Sequence, residues 1–310
     1  MLDEAPGAVT TQMRMDTVLP YDSFAYVNSL THLGLPEVIA GLPWPIVVRP
    51  IPGSARCDAV GPWPYGSAPE ASQMAAALSA LRARGLVSLT AFLRPDCPVD
   101  IAALQRSGVQ CVPLKDHFIY DARETLPARS KKTRYNIATA RRRWAVERLN
   151  LPTHWPALAV LHQDLRRRRA LSKFAQVEAS HFERLADVPG ADGLAVFDEG
   201  EMIAALVVVR SAARVHFLAL LGNEQAHRER AHYALYDAAA TRWGSESLLC
   251  MGGAPSGEDG PGIDKFKRRF ATSTRPVTLL TVILDPVACA ELTARRNTPG
   301  YFPPYRTPAE

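Results

Sequence analysis

Residues 194–221, LAVFDEGEMIAALVVVRSAARVHFLALL, form the stretch of sequence that decides the fold. Three apolar segments in it are separated by two short turns, DEG at 198–200 and SAA at 211–213. Apolar runs of this length, bounded by turn residues, are typical of β-strands, and such short turns connect antiparallel neighbours. The stretch therefore predicts a three-stranded antiparallel meander.

Helices precede and follow this meander. Two are predicted before it, beginning near Pro152 and Glu178, and a long amphipathic helix, residues 225–243, follows because its apolar residues recur at helical spacing. A strand at 248–251 then leads into a glycine-rich loop, a short basic helix and a last strand. This order predicts a mixed α/β arrangement for the second half of the chain.

The first half of the chain also alternates helices and strands. Strands are predicted at 46–51 and 86–93, and two further separate strands at 109–114 and 118–120, with helical segments between them. Residues 1–20 have no such pattern and are expected to be a flexible lead-in. We therefore expect a fold of the α/β class, in which helices and strands form an α+β arrangement around a mixed sheet.

Composition places the chain among ordinary globular proteins. Its 310 residues are 47% apolar and 22% charged, which is enough for two domains with separate cores. The net charge of +5 comes largely from runs of Lys and Arg, which favour an anionic partner. The N-terminus lacks a signal-peptide pattern and no stretch reaches the length of a membrane span, so a soluble, cytoplasmic protein is expected.

The residue types that build metal centres and disulfide frameworks are present but not in the required spacing. The five cysteines contain no CxxC pair, and His227 and His232 are five positions apart on the predicted helix instead of three or four. We therefore expect no metal site and no disulfide framework.

The loop after the strand at 248–251 is the strongest candidate for a functional site. Residues 251–270, MGGAPSGEDGPGIDKFKRRF, combine five glycines with a helix, predicted at 263–270, that carries four cations. Bare backbone beside dense positive charge suits an anionic group or a transition state that develops negative charge. A plain surface loop followed by a solvated helix, docked through Phe266 and Phe270, explains the same residues.

Two further segments invite a functional interpretation. Residues 126–143 are predicted to be a helix with seven cations and a narrow apolar side, which is typical either of an anion-binding surface or of a solvated helix face. Residues 61–69, GPWPYGSAP, place two large aromatic side chains on a stiff loop, where they either line a binding site or cover the core.

Several of these features together resemble the FemABX-type branch of the GNAT acyltransferase superfamily, whose members take an amino acid from aminoacyl-tRNA. The resemblance covers 46–306 and rests on the order of elements in the second half, the basic helix, the PYG loop at 64–66, the motif GIDKFKRRF at 262–270 and the ending FPPYR at 302–306. It implies tandem GNAT-like domains, a degenerate one at 21–150 and a second at 151–310, with a cleft between them and a C-terminal tail that returns to the first.

The resemblance also implies roles for individual residues. In the family, a Phe-Lys pair after the glycine loop lies beside the acyl donor, and its lysine stabilises the tetrahedral oxyanion, so Phe266 and Lys267 are the implied catalytic residues. A positioned cation in a dry cleft contributes on the order of 3 kcal/mol to such a step. The remaining residues implied to bind substrates are Tyr65 and Gly66 of the PYG loop, Lys131, Arg134 and Arg169 for the diphosphate of the acceptor, and Gly262 and Asp264 of the GIDKF motif.

One departure concerns the acyl donor. Acetyl-CoA-using relatives carry a glycine turn before the long helix, where backbone N–H groups bind pyrophosphate, but the matching residues 223–234 contain no glycine. Three functions are therefore compared. They are an aminoacyl-tRNA-dependent transferase that needs no separate cofactor and acts on an amine of a peptidoglycan precursor or small molecule, an acyl-CoA N-acyltransferase, and a non-catalytic protein that binds RNA or glycan.

Overall fold

A computed structural model describes residues 19–95, 97–169, 171–255 and 260–307, so most of the predicted lead-in and the middle of the glycine loop lie outside the described residues. All eleven strands found there belong to one sheet, in the order β1-β2-β3-β4-β11-β5-β10-β9-β8-β7-β6. The strands are β1 (Leu35–Glu37), β2 (Ile46–Pro50), β3 (Cys57–Val60), β4 (Leu86–Leu93), β5 (Gln110–Tyr120), β6 (Glu147–Arg148), β7 (Ala191–Asp198), β8 (Glu201–Ser211), β9 (Arg214–Gly222), β10 (Leu248–Cys250) and β11 (Ser273–Ile283).

Helices cover both faces of this sheet. They are α1 (Phe24–Asn28), α2 (Ala71–Ala83), α3 (Ile101–Arg106), α4 (Lys131–Arg143), α5 (Leu151–Arg168), α6 (Ala179–Leu185), α7 (Glu224–Arg228), α8 (Ala231–Trp243), α9 (Gly260–Lys267) and α10 (Pro286–Arg295). In the part of the chain that the structure describes, no helix combines the length and the apolar character that crossing a membrane requires.

The predicted meander is confirmed. β7, β8 and β9 pair in antiparallel order, with Ala195 opposite Ala205 and Ala205 opposite Leu221. The loop between β7 and β8 has only two residues, since Asp198 pairs with Glu201. Both loop residues have positive φ, 49° at Glu199 and 86° at Gly200, which is the conformation that matches the twist of a tight hairpin.

The same succession of elements occurs twice. β1, β2 and β3 form an antiparallel meander, α2 follows, and β4 pairs in parallel with β3. β7, β8 and β9 repeat this arrangement, and after α7 and α8 strand β10 pairs in parallel with β9. The α/β fold with a mixed sheet and tandem GNAT-like units is thus present.

The last strand of each unit lies against the other unit. β5 follows β4 through α3 but pairs with β10, whereas β11 follows β10 through α9 but pairs with β4. β5 and β11 also pair with each other. The sheet is therefore continuous, and the division of the chain at residue 150 stays a prediction.

Four predicted elements differ from the structure. The helix predicted at 263–270 spans Gly260–Lys267. The long helix 225–243 is two helices, because Arg230 adopts the left-handed conformation, with φ of 65°, between α7 and α8. The basic helix begins at Lys131 and not at 126, because Ser130 caps it by accepting the N–H of Thr133. The strands predicted at 109–114 and 118–120 are one strand, since β5 pairs with β11 along almost its whole length.

The C-terminal residues pack onto the first unit through a buried ionic cluster. The Asp58 side chain on β3 is fully buried and accepts hydrogen bonds from Arg49 at 3.0 Å and from Arg306 at 2.6 and 3.0 Å. Arg306 also donates to the carbonyl oxygen of Pro50 at 2.8 Å. Because one buried carboxylate serves two buried guanidinium groups, its removal would leave both cations without a counter-charge.

We predict that Asp58→Asn lowers the free energy of unfolding by about 3–5 kcal/mol, the usual cost of breaking a buried ion pair. Urea denaturation measures this change. Glu37→Gln is the matched control, because its partner Arg84 is exposed and such pairs contribute about 1 kcal/mol or less. Equal losses in the two variants would contradict the prediction.

Candidate active site

Two central strands separate at the middle of the sheet. β10 pairs with β9 over three positions only, ending where Cys250 lies opposite His216, while β9 continues to Gly222. Among the described residues, no strand pairs with this edge of β9 beyond His216. A shift in the β8–β9 register leaves Leu218 without a partner on β8 at the same point. One edge of β9 is thus left without a strand partner beside the loop that follows β10.

Lys267 lies at this point. It is the last residue of α9, and its Nζ donates a hydrogen bond to the carbonyl oxygen of Gly253 at 2.7 Å. Gly252 has a φ of 70°, and a Cβ built on it would lie 3.4 Å from Nζ. Burial lowers the pKa of Lys267 to about 8; nearby Cys250 opposes the shift and the Lys115 cation adds to it.

The neighbouring Phe266 has a different environment. Its ring packs edge-on against Tyr233 and Tyr236 of α8, at centroid distances of 5.1 and 4.9 Å, and against Phe270 at 5.4 Å. These contacts anchor α9 on the face of the sheet that α8 covers. The catalytic role predicted for Phe266 stays a prediction, and its contacts show a ring that fixes the helix on which Lys267 sits.

Tyr65 of the PYG loop is buried on the opposite face, among polar side chains. Its hydroxyl forms a short hydrogen bond with Nδ1 of His117 and lies 3.3 Å from Sγ of Cys250. The ring of His216 packs edge-on against Tyr65 at 5.0 Å, and Tyr21 stacks on His216 at 5.3 Å. First-unit residues Tyr65 and His117 thus meet second-unit strands β9 and β10 at one place.

His117 approaches the Lys267 loop as well. A Cβ on Gly253 would lie 2.8 Å from Cδ2 and 3.0 Å from Nε2 of His117, so only glycine allows the ring this position. The side chain is buried, and its Nε2 has no hydrogen-bond partner among the described residues. Burial and the nearby cations Lys115 and Lys267 lower the pKa of His117 to about 3, so the ring is neutral at physiological pH.

Sequence reasoning missed His117, His216 and Cys250, since the histidines were tested only against metal spacing. The alternation of side chains between the two faces of a strand could have identified His117. His117 shares a face with Ile119 on β5, and side chains two apart in a strand lie on the same side of the sheet. A histidine at an otherwise apolar, inward-facing position is a candidate for a functional role.

Gly66 is explained by packing. A Cβ at this position would lie 2.8 Å from Nε1 of Trp44. The backbone N–H of Gly66 donates to the carbonyl oxygen of Phe92 at 2.7 Å. Gly66 thereby attaches the loop to β4 and fixes the position of Tyr65.

The three cations predicted for the acceptor diphosphate are not brought together. Lys131 and Arg134 are exposed in the first turn of α4, and Arg134 donates to the carbonyl oxygen of Arg129. Arg129 in turn donates to the carbonyl oxygen of Arg269, two residues after Lys267, at 3.3 Å. Arg169 follows α5, which packs on the other face of the sheet.

The remaining motif residues lie on the outer side of α9. Gly262 is exposed with open space around it, and Asp264 forms a bidentate pair with Arg268 at 2.7 and 3.1 Å. This pair lies on an exposed helix face, and a substrate contact for either residue stays a prediction.

Two other features lie outside this site. A surface depression of about 320 Å³ is lined by Asp121, Arg123 and Arg214, at the opposite ends of β5 and β9 from Lys267. No group of three or more His, Cys, Asp or Glu residues suited to a metal ion occurs in the described ranges.

The geometry around Lys267 fits one type of chemistry. A cation, a neutral histidine and a thiol lie near a glycine backbone next to the unpaired edge of β9, and the hydroxyl of Tyr65 contacts both the histidine and the thiol. A positive charge in such a partly dry place stabilises an oxygen that becomes negative during a reaction. We refer to these residues, Lys267, Gly252, Gly253, His117, Tyr65 and Cys250, as the Lys267 site.

Comparison with known proteins gives structural matches only. No protein-family profile matches the sequence, and no curated protein matches it. Among solved structures, FemX has a TM-score of 0.64 at 11% identity, with 94% of this chain and 99% of FemX covered. The C-terminal domain of a putative lysylphosphatidylglycerol synthetase from Agrobacterium fabrum has a TM-score of 0.61 at 14% identity, with 92% and 94% covered.

A third solved structure agrees with these two. L-PGS from Bacillus licheniformis has a TM-score of 0.59 at 14% identity, with 94% of this chain and 96% of that chain covered. Identities this low establish the fold alone. The expectation drawn from the sequence motifs is confirmed at that level, and the chain has a fold of the FemABX/GNAT type.

Proposed function

We propose that the protein is an aminoacyl-tRNA-dependent transferase, which forms an amide bond between an activated amino acid and an amine of a peptidoglycan precursor or small-molecule acceptor. The observation that carries the proposal is the position of Lys267, a partly buried cation beside glycine backbone where β9 and β10 separate. Two similar structures support the proposal. One is FemX, which shares its name with the FemABX family that the motifs resemble, and the other is a domain of a putative lysylphosphatidylglycerol synthetase.

The proposed reaction has two steps. The nitrogen of the acceptor amine attacks the carbonyl carbon of the aminoacyl ester, a C–N bond forms, and the carbonyl oxygen becomes an oxyanion beside Nζ of Lys267. Collapse of this intermediate breaks the ester C–O bond, and the terminal hydroxyl of tRNA leaves with the proton that the amine loses. Because the ester is already activated, holding the amine close to the carbonyl supplies much of the rate.

The loop before α8 supports this donor over acyl-CoA. Binding of a pyrophosphate there would require free backbone N–H groups, but those of Ala226, His227, Glu229, Arg230 and Tyr233 already donate within the chain. Asn223 caps α7 and takes part in two of these bonds, and Arg230 lies directly before α8 in the left-handed conformation. The helix N-terminus therefore offers few donors to a phosphate group.

The first experiment measures binding of total charged tRNA to the purified protein by gel shift at two salt concentrations, beside calorimetry with acetyl-CoA. We expect binding that weakens roughly tenfold or more between about 50 and 200 mM salt, since phosphate contacts release counterions. Uncharged tRNA is the control for the aminoacyl group. Heat from acetyl-CoA without retention of tRNA would favour an acyl-CoA transferase.

Removal of the Lys267 side chain should slow turnover without loss of binding. We predict that Lys267→Ala lowers kcat about 100-fold or more, the cost of losing one oxyanion donor, and leaves the affinity for charged tRNA unchanged. Product formation by mass spectrometry measures this. Lys265→Ala, an exposed cation on the same helix, is the control. Full activity of Lys267→Ala would show that Lys267 is not the oxyanion donor, whereas binding of charged tRNA without any product from the wild type would favour a non-catalytic RNA- or glycan-binding protein.

The pH dependence follows from the pKa of Lys267. The ammonium form is needed to stabilise the oxyanion, and with a pKa of about 8 it is lost as pH rises through this value. We predict a turnover rate that falls above pH 8, and a falling limb displaced to higher pH in Lys267→Arg, because guanidinium stays charged above pH 12. An unchanged falling limb in that variant would show that another group titrates.

A further inference from the structure

His117 is the buried polar side chain of the Lys267 site that the proposed reaction leaves without a role. It is 6% exposed, and its Nε2 has no hydrogen-bond partner in the described part of the chain. An unpaired buried polar atom costs on the order of 1–3 kcal/mol, so its presence at a functional site requires an explanation.

The hydrogen-bond partner of Nδ1 determines whether Nε2 of His117 carries a proton. The Tyr65 hydroxyl lies within hydrogen-bonding distance of Nδ1 of His117 and of Sγ of Cys250. An imidazole nitrogen accepts a hydrogen bond far better than sulfur, so the phenol donates to Nδ1. A neutral imidazole that accepts at Nδ1 carries its proton on Nε2. Nε2–H is therefore a hydrogen-bond donor.

This donor and the ammonium group of Lys267 flank one residue. A Cβ on Gly253 would lie 3.0 Å from Nε2 of His117, while the carbonyl oxygen of Gly253 accepts from Lys267 at 2.7 Å. Two donors therefore converge beside the opened edge of β9, and the cations Lys115 and Lys267 add positive potential there. Such an arrangement fits a small anionic oxygen.

We propose that His117 Nε2–H is a second donor to the oxyanion that forms at the Lys267 site, with Tyr65 fixing the tautomer that makes this possible. The inference rests on the proposed function for the identity of the acyl donor. His117 keeps its proton throughout, and the substrate carbonyl that becomes negative is the group that it contacts. Tyr65 is a positioning residue, since it acts through the imidazole.

The test compares side chains that keep or lose an N–H at the position of Nε2. Gln places its amide near Nε2 and Asn near Nδ1, whereas Phe keeps the ring shape without any donor. The probe is total tRNA charged with radiolabelled amino acids, with hydroxylamine as a generic amine, and the readout is the single-turnover rate of hydroxamate formation. Gel shift gives the affinity for charged tRNA, and thermal melting verifies the fold of each variant.

We expect His117→Phe to slow transfer about 100-fold or more with unchanged affinity, and His117→Gln to be at least tenfold faster than His117→Asn. Tyr65→Phe should slow transfer by a smaller factor, because the histidine remains. His154→Gln, a histidine of α5 outside the site, should equal the wild type. If His117→Phe does not fold, the comparison of Gln with Asn decides.

Three results would overturn the inference. A His117→Phe rate within threefold of the wild type would show that no donor is needed, and a Gln variant no faster than the Asn variant would show that Nε2–H is not the contact. An active Gln variant excludes proton transfer by His117, because an amide is not a base. If the wild type transfers nothing from charged tRNA, the proposed function is wrong, and the same variants are then measured with acetyl-CoA as the donor. A wild type that transfers from neither donor would overturn both the proposed function and the role of His117.

Discussion

The short parallel pairing between β9 and β10 is the constraint on which the rest of the structure depends. Three residue pairs, from Leu248 with Arg214 to Cys250 with His216, attach the meander of the second unit to the rest of the sheet. Beyond them the strands separate, and no strand pairs with this edge of β9 among the described residues. Backbone groups there need other partners, and the guanidinium of Arg168 supplies one by donating to the carbonyl oxygen of Gly222.

Residues on both sides of this opening come from different units and are held by different cores. Phe266 anchors α9 among the aromatic rings of α8, which positions Lys267 from the second unit. Trp44 and the backbone of Phe92 hold Gly66, which positions Tyr65 from the first. Because each polar group is fixed by packing around it, the site is preorganised and needs little rearrangement during a reaction.

Local patterns in the sequence predicted the local structure well. The meander at 194–221 and the strands β2 and β4 follow directly from apolar runs and turn residues, and the family motifs led to the correct fold. The break at Arg230 could not be predicted, because the apolar spacing of α7 continues into α8. The grouping of Tyr65, His117 and Cys250 was equally hidden, since it depends on β5 pairing with β10 across 130 residues of chain.

The exchange of β5 and β11 between the units has a consequence for protein synthesis. One edge of β4 is paired by β11, and Asp58 accepts hydrogen bonds from Arg306, although both partners lie far later in the sequence. Domains generally fold from the N-terminus as they leave the ribosome. The first unit therefore keeps an open sheet edge until β11 has been synthesised, and an open edge is prone to pairing with other chains.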